Sequence, residues 1–286
     1  MNAAHAMTSF SPLPVQQRDI HFPIVGLQLR NWHPQGPAVS QLFNALSLFF
    51  PEGEQFFIDS VRYYRDRGRI TDPKLLEEVK GFIGQEAMHG REHRAYNEAL
   101  AAAGYPAVEL ERKAVKQLEL GRKLLPHSGQ LAATIALEHF TAIMAEVLLD
   151  DDSVLEGAPP AMAALWRWHG IEETEHKAVA FDVYRAVVGT GFMAHLLRCL
   201  IMLSSSIRFL AQSIYTHYRL LKHDGLHRDW NTWRTHLRFV FVKPGFLRRI
   251  ALPWLSYFKP GFHPWQHDNR HHVERWKATY ARQVAA

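Results

Sequence analysis

The chain has 286 residues, of which 47% are hydrophobic and 21% are charged. This composition is typical of a globular protein and excludes an intrinsically disordered chain, and the length favours one large domain with an appendage. The single cysteine, Cys199, excludes an intrachain disulfide, a cysteine-rich zinc site and a CxxC redox motif. Because the first twenty residues lack the basic and apolar segments of a signal peptide, we expect a cytoplasmic protein.

Positive charge is concentrated near the end of the chain. Residues 222–286 contain twelve Lys and Arg against four Asp and Glu, a balance of +8, whereas the whole chain carries +5. Such a basic, tryptophan-rich tail can contact phosphates, lipid headgroups or an acidic face of its own chain. Nucleic acid is not an expected partner because no nucleic-acid-reading motif accompanies the charge. Peripheral contact with a membrane stays open.

In chain order, residues 1–37 contain five prolines and predict an irregular N-terminal arm. Residues 38–187 show long helical periodicity, broken at Gly and Pro, with no strand alternation, and this pattern predicts a helical bundle. The fold class is therefore predicted to be all-α, a four-helix bundle with additional helices.

Residues 188–286 are predicted to add an apolar helix and an irregular, basic, aromatic-rich C-terminal extension packed on the bundle. In the apolar helix, residues 188–221, Arg198 and Arg208 interrupt the run of about 18 uncharged residues that a membrane-spanning helix needs. We expect a fifth packed helix here, with an interfacial helix or a roof over an apolar tunnel as alternatives.

Four predicted helices each carry a polar centre on an otherwise apolar stripe. On the second predicted helix, which includes residues 75–100, the stripe residues are separated by alternating steps of four and three residues. This is the spacing of a seam that faces other helices. They are Leu75, Val79, Phe82, Glu86, His89, His93, Tyr96 and Leu100. The same spacing places Glu138 on the stripe of a later helix, and His169, Glu173 and His176 on the stripe of a helix over 162–187. Glu54 shares a face with apolar residues of the first helix.

Two Glu-x-x-His motifs, Glu86 with His89 and Glu173 with His176, each place a carboxylate and an imidazole one turn apart on one helical face. A single such motif is weak evidence. Each motif here is preceded by a seam glutamate, Glu54 at 32 residues before Glu86 and Glu138 at 35 residues before Glu173. The chain therefore contains two similar halves, each with the same kind of polar centre.

Carboxylates inside a bundle need compensation, because an unpaired buried carboxylate costs several kcal/mol. Two divalent cations would neutralise four glutamates and accept a nitrogen donor from each motif. The alternatives are that these residues lie on the surface, or that arginines such as Arg62, Arg65 and Arg91 neutralise them. The pattern favours a di-metal site.

The stretches that carry these residues resemble a family of bacterial proteins known as predicted metal-dependent hydrolases. The stretches are residues 49–54, 84–93, 136–140 and 169–177, and the likeness extends over most of the chain. Their motifs are also similar to those of the ferritin-like di-iron carboxylate superfamily. This resemblance implies a ferritin-like bundle with six metal ligands. They are Glu54, Glu86, His89, Glu138, Glu173 and His176.

The spacing His169-x-x-x-Glu173-x-x-His176 is similar to that of the p-aminobenzoate N-oxygenases, di-iron enzymes in which an additional histidine binds iron. This resemblance implies that His169 is a seventh ligand. The alternative is a histidine that is hydrogen-bonded behind the ligands. For His93, we favour a position that hydrogen-bonds to the ligands from behind, with a ligand role as the alternative. Glu172 is an alternative to Glu173, but only Glu173 keeps the seam spacing.

A weaker second metal candidate lies in the tail. His263, His267 and His271 recur every four residues, as side chains on one helical face would, but Pro264 interrupts the run.

Oxygen-rich sites with two or three imidazoles suit iron or manganese better than zinc. The resemblance implies two iron ions, with manganese as an alternative, that use O₂ to oxidise a small organic substrate. An apolar or aromatic substrate is expected if the helix over 188–221 and the tryptophan-rich tail wall an apolar pocket. No flavin or nicotinamide motif is present, so we expect an external electron donor. The rival hypothesis is a metal-dependent hydrolase that uses a di-metal-bound hydroxide. A third is a non-catalytic iron-handling or membrane-associated module. A homodimer stays open.

Overall fold

The structure, a computed structural model, describes residues 12–284, with side chains through residue 278. Within this range the chain forms eleven α-helices and no β-strand, which confirms the all-α class. The helices are α1 (Pro37–Ser47), α2 (Phe50–Arg65), α3 (Pro73–Ala102), α4 (Ala107–Leu124), α5 (His127–Asp150), α6 (Pro160–His176), α7 (Val179–Val187), α8 (Phe192–His223), α9 (Trp230–Phe241), α10 (Phe246–Ser256) and α11 (Arg270–Val284).

Local sequence signals fix the starts of the bundle helices. Pro73 lies in the first turn of α3, where a missing N–H leaves no hydrogen bond unmade. Asp72 caps the same helix, because its carboxylate accepts hydrogen bonds from the backbone N–H groups of Lys74 and Leu75 at 2.8 and 3.0 Å. Pro160 likewise lies in the first turn of α6.

The bundle consists of α2, α3, α5 and the α6–α7 pair. Helix α2 packs on α3 and α5, and α5 packs on α6 and α7, which also contact α3. The predicted seam of α3 is confirmed, because each of its eight residues is at most 4% exposed. The stripe residues of α5 and α6 are buried as well. The polar centres of all four stripes therefore face the interior.

The helix expected over residues 162–187 is divided into two. A turn at Lys177 and Ala178 separates α6 from α7, directly after His176. The Lys177 ammonium donates to His267 O and Asn269 Oδ1, both at 2.7 Å, and burial lowers the pKa of Lys177 to about 7. The turn thus coincides with a contact to the C-terminal extension, which the spacing of apolar residues cannot predict.

The described part of the N-terminal arm, residues 12–36, contains no helix, as predicted, and residues 1–11 of the arm lie outside the described residues. The arm lies directly on α3 at two glycines. A Cβ atom at Gly81 would lie 2.2 Å from the carbonyl oxygen of Val15, and one at Gly84 would lie 2.5 Å from Gln17 Oε1. Only glycine permits so close an approach.

The C-terminal extension is less irregular than the sequence suggested, because it contains α9, α10 and α11. Short helices are marginal alone and form here against neighbours: α9 packs on α1 and α10, α10 on α5, and α11 on α6. Helix α8 packs on α1 and α5, as expected of a fifth packed helix. By length and composition both α5 and α8 could cross a membrane, but 83% of the apolar window of α5 is buried and only 22% of that of α8. A division into domains near residues 37 and 187 stays a prediction.

We expect Gly81→Ala to destabilise the protein by about 3 kcal/mol, because the new methyl group would collide with the Val15 backbone and push the arm off α3. The measurement is the urea unfolding midpoint. Gly121→Ala in α4 is the matched control, since a Cβ atom there meets nothing within 4 Å and alanine favours helix by up to about 1 kcal/mol. Equal midpoints for the two variants would contradict the close approach of the arm.

Candidate metal centre

The side chains that the sequence predicted as ligands converge inside the bundle. Helices α2, α3, α5 and α6 each supply at least one of them, and every one is at most 4% exposed. They are Glu54, Glu86, His89, Glu138, His169, Glu173 and His176. Regular helices bring these side chains together because each of them lies on the buried stripe of its helix, among apolar residues three or four positions away.

Three triplets of these residues bring their nitrogen and oxygen atoms within 4.8 Å of one another. The triplets are Glu54, His89 and His169; Glu86, His89 and Glu173; and Glu86, Glu138 and His176. Because His89 and Glu86 each belong to two triplets, the donors form one continuous cluster with two ends. At one end, His176 Nε2 lies 3.0 Å from Glu86 Oε1 and 3.4 Å from Glu138 Oε2.

Many buried atoms of this cluster make no hydrogen bond. They are both carboxylate oxygens of Glu54, Glu86 and Glu138, both ring nitrogens of His89, and Nε2 of His176. Leaving a buried polar group unsatisfied costs about 1–3 kcal/mol, and more if it is charged. So many unpaired atoms at one place indicate a polar or charged group that belongs between them.

Residues behind the cluster fix the orientation of two of its imidazoles. His176 Nδ1 lies 2.9 Å from Gln85 Oε1, and the amide group of Gln85 is oriented by its hydrogen bond to Glu175 Oε2 at 2.8 Å. Nδ1 therefore donates, and Nε2 points toward the carboxylates.

A longer hydrogen-bonded chain orients His169. The Ser47 hydroxyl donates to Asn97 Oδ1 and so accepts from His93 Nδ1. His93 Nε2 then accepts from His169 Nδ1 at 2.9 Å. This leaves His169 Nε2 facing Glu173 Oε1 at 3.0 Å. His93 thus lies behind His169, the position that the sequence ranked first for it.

The third imidazole, His89, lies between the cluster and an ion pair. Its Nε2 is 3.1 Å from Glu172 Oε2, while its Nδ1 is 3.8 Å from Glu173 Oε1. Arg18 of the N-terminal arm holds Glu172 at 2.8 Å and Glu175 at 2.6 Å. No sequence pattern indicates this role for Arg18, because the arm has no periodicity. The spacing of the α6 stripe predicts Glu173 as the inward-facing glutamate. The structure places the Glu173 carboxylate in the cluster and that of Glu172 against Arg18.

The arginines that were considered as neutralising partners lie elsewhere. Arg62 is exposed, Arg65 pairs with Asp66, and Arg91 pairs with Asp19 and Glu92. The surface alternative is wrong as well, since the cluster is buried.

Burial and mutual repulsion shift the pKa values of the carboxyl groups. Burial, reinforced by Glu86 and the other carboxylates, raises the pKa of Glu54 and of Glu138 well above the usual value. For Glu173, burial acts in the same direction, but His176 and His169 outweigh it and hold the pKa well below the usual value.

The imidazoles are shifted in opposite directions. Burial lowers the pKa of His89 well below its usual value. For His176, burial also lowers the pKa, but Glu138, Glu86 and Glu173 outweigh it and raise the pKa well above its usual value. In the metal-free protein, protons bound to Glu54, Glu138 and His176 therefore reduce the repulsion between the carboxylates. Metal ions would compete with these protons for the same atoms.

An apolar cavity of about 340 Å³ opens from the cluster toward α8 and α9. His169, Glu173 and Thr141 form its inner wall, and the Thr141 hydroxyl donates to Glu173. Among the described residues, no Lys or Arg lines this cavity. A second apolar cavity of about 190 Å³ reaches Glu54 and shares Phe50, Thr141 and Phe209 with the first.

The histidines of the extension do not form the second site that their spacing suggested. His263 Nε2 contacts Asp182 at 3.1 Å, and His267 pairs with Glu146. His271 lies near His272 and Asp150, whose carboxylate already pairs with Arg249 at 2.6 Å. Pro264 begins a short turn between the first two histidines, which is why the period of four does not make a common face.

Comparison with known proteins confirms the resemblance to the predicted metal-dependent hydrolases. No curated protein and no solved structure matches the chain. A family model described as "Predicted metal-dependent hydrolase" matches residues 16–268, a range that includes Arg18 and every residue of the cluster, so the chain belongs to this family.

Proposed function

We propose that the four glutamates and three histidines of the cluster hold two divalent metal ions. The observation that carries this proposal is the orientation of the imidazoles. His176 and His169 each use one ring nitrogen in a hydrogen bond behind the cluster and turn the other toward carboxylates. A ring nitrogen and a carboxylate oxygen that face each other need a cation between them, which is a proton in the metal-free protein and would be a metal ion in the loaded one. The buried, unpaired oxygens of Glu54, Glu86 and Glu138 fit the same explanation.

The continuity of the cluster supports two ions, with the ligands divided between its ends. Glu54, His89 and His169 form one end, and Glu138 with His176 forms the other. Glu86 and Glu173 lie between them and are the residues suited to bridge. His169 is then the seventh ligand. Four carboxylates with three imidazoles suit iron or manganese better than zinc, so iron is the first choice.

We further propose that the protein oxidises a small apolar substrate with O₂, using electrons from an external donor. A pair of iron ions, when bound, would supply the redox chemistry. The chain supplies the binding site, since the cavity of about 340 Å³ places an apolar molecule against Glu173 and His169. Thr141 holds the Glu173 carboxylate from the cavity side, and the ring of Phe50 packs on that of His169 with 4.5 Å between the ring centroids.

Hydrolysis is the second candidate, and the family description favours it. The same ligands would hold two ions that activate water. The absence of Lys and Arg from the lining of the larger cavity, among the described residues, argues against phosphate esters as substrates. An ester of an apolar acid or alcohol fits the lining better.

The test begins with elemental analysis of the purified protein, followed by removal of its metal and anaerobic loading with Fe(II). For oxidation, we expect the Fe(II)-loaded protein to consume O₂ faster than Fe(II) in buffer and to develop an absorption band. For hydrolysis, we expect Zn(II)-loaded protein to cleave an aryl ester of a medium-chain fatty acid without O₂. Glu77→Gln, an exposed change on α3, is the control that should match the wild type. Inert behaviour in both assays would contradict both activities and favour the iron-handling module.

A further inference from the structure

The amphipathic character of α8 is inverted relative to that of an ordinary surface helix. A soluble helix turns its apolar face inward and its polar face to water. In α8 the buried face is mostly polar. Its members include Arg198, Ser206, Gln212, Ser213, Thr216 and His217. The exposed face is apolar over about seven turns. Its members include Leu196, Leu200, Leu203, Ile207, Leu210 and Ile214.

The exposed apolar surface continues onto α9, around the mouth of the larger cavity. Leu210 and Ile214 of α8, and Leu237 and Phe241 of α9, are exposed and also line that cavity. These four side chains are between 36% and 62% exposed. Trp230, 69% exposed, lies at the start of α9. The entrance to the candidate substrate site therefore lies within the apolar surface.

Positive charge predominates in the helices that form this surface. Residues 192–223 and 230–263 contain ten Lys and Arg and no Asp or Glu, and two aspartates lie in the turn 224–229 between them. Arg234 and Arg238 of α9 are exposed and form no ion pair with an acidic side chain among the described residues. Cationic side chains beside exposed aliphatic and tryptophan residues are the composition of an interfacial helix on an anionic membrane.

We propose that the exposed face of α8 and α9 docks on the surface of an anionic phospholipid bilayer, with the mouth of the larger cavity open to the acyl chains. Substrates dissolved in the bilayer would then enter the cavity without crossing water. This entry route rests on the proposed function, whereas the docking does not.

Two other uses of this face fit the structure less well. A second copy of the chain would bring two surfaces of the same positive charge together, with no acidic side chain in either segment to pair them. A membrane-spanning role for α8 conflicts with its packing, because one face lies on α1 and α5 and carries the buried Arg198, whose guanidinium donates to Lys259 O at 2.8 Å.

The experiment is flotation of the full-length protein with vesicles of phosphatidylcholine alone or mixed with phosphatidylglycerol, at low and high salt. We expect flotation with the anionic vesicles that weakens with salt. Each cation near an anionic surface contributes about fivefold, so R234Q/R238Q should lower the partition coefficient about 25-fold. I207S/I214S should lower the partition coefficient about tenfold or more, because two aliphatic side chains that would be buried in the bilayer are lost.

Matched controls lie outside this face. R62Q/K80Q removes two exposed cations from α2 and α3, and Val25→Ser removes an exposed aliphatic side chain of the N-terminal arm. Both should float like the wild type. All changes are at exposed positions, and helix content and bound metal are measured for each variant.

Two outcomes would overturn the proposal. One is a protein that floats with neither kind of vesicle. The other is a dimer in analytical ultracentrifugation that I207S/I214S dissociates, without vesicle binding by the wild type. Because flotation requires no turnover, a failed oxidation or hydrolysis assay leaves this result intact, and a protein that fails to float can still bind metal and react.

Discussion

Replacing Glu138 or Glu173 by alanine is expected to reduce the metal content from about two ions per chain to one or fewer. Glu138 forms a triplet with Glu86 and His176 at one end of the cluster, and Glu173 lies between the two ends. Each change removes one of four carboxylates that would neutralise the ions, and leaves the remaining ligands with one open position. We also expect loss of activity by at least a hundredfold, because the second ion is lost.

The measurement is elemental analysis of each variant after loading with excess Fe(II) and removal of the unbound metal. Glu78→Ala is the matched control, since Glu78 is a buried glutamate on α3 outside the cluster and should leave both ions in place. Retention of two ions by both Glu138→Ala and Glu173→Ala would refute the ligand assignment.

Glu138→Gln is expected to stabilise the metal-free protein at neutral and higher pH while weakening its metal binding. The folded protein raises the pKa of Glu138 well above its usual value of 4.5 because of burial and the neighbouring Glu86. The stability that this group contributes is therefore present below that usual value and is lost as the pH rises through the raised pKa. Glutamine keeps nearly the same shape and stays neutral at every pH.

The advantage of the variant over the metal-free wild type should accordingly grow with pH, by up to about 1.4 kcal/mol per pH unit between the two pKa values. The measurement is urea unfolding in the presence of a chelator at a series of pH values above 4. With Fe(II) or Mn(II) present, the order should reverse, since an ion at a thousand times its dissociation constant stabilises the wild type by about 4 kcal/mol. Parallel pH curves for the two metal-free proteins would contradict a raised pKa of Glu138 in the folded protein.

The candidate site follows from the sequence to an unusual degree, because helical spacing is short-range information. The steps between Glu86, His89 and the apolar residues of α3 place all of them on one face whatever the rest of the chain does. The seam glutamates Glu54 and Glu138 follow the same rule. Four such faces can be buried together only in a bundle, so their polar centres meet.

The groups behind the cluster do not follow from any period. Arg18 lies in an arm without secondary structure, Ser47 on a different helix from His93, and Thr141 off the stripe of α5. Gln85 adjoins the motif but is distinguished only by its contact with His176. Arg18 and Glu172 are 154 residues apart in the chain, and only packing brings such side chains together.

For this protein, the sequence by itself determined the helical class and which residues share a face, because both depend on neighbours within one or two turns. It did not determine which face of α8 is buried, since an amphipathic helix has the same pattern whichever way it is turned. Tertiary packing turned the polar face of α8 toward the bundle and left its leucines and isoleucines outside. Hydrogen-bond partners for Arg198 and His217 exist only in the folded interior, and a buried cation or imidazole without them would be too costly.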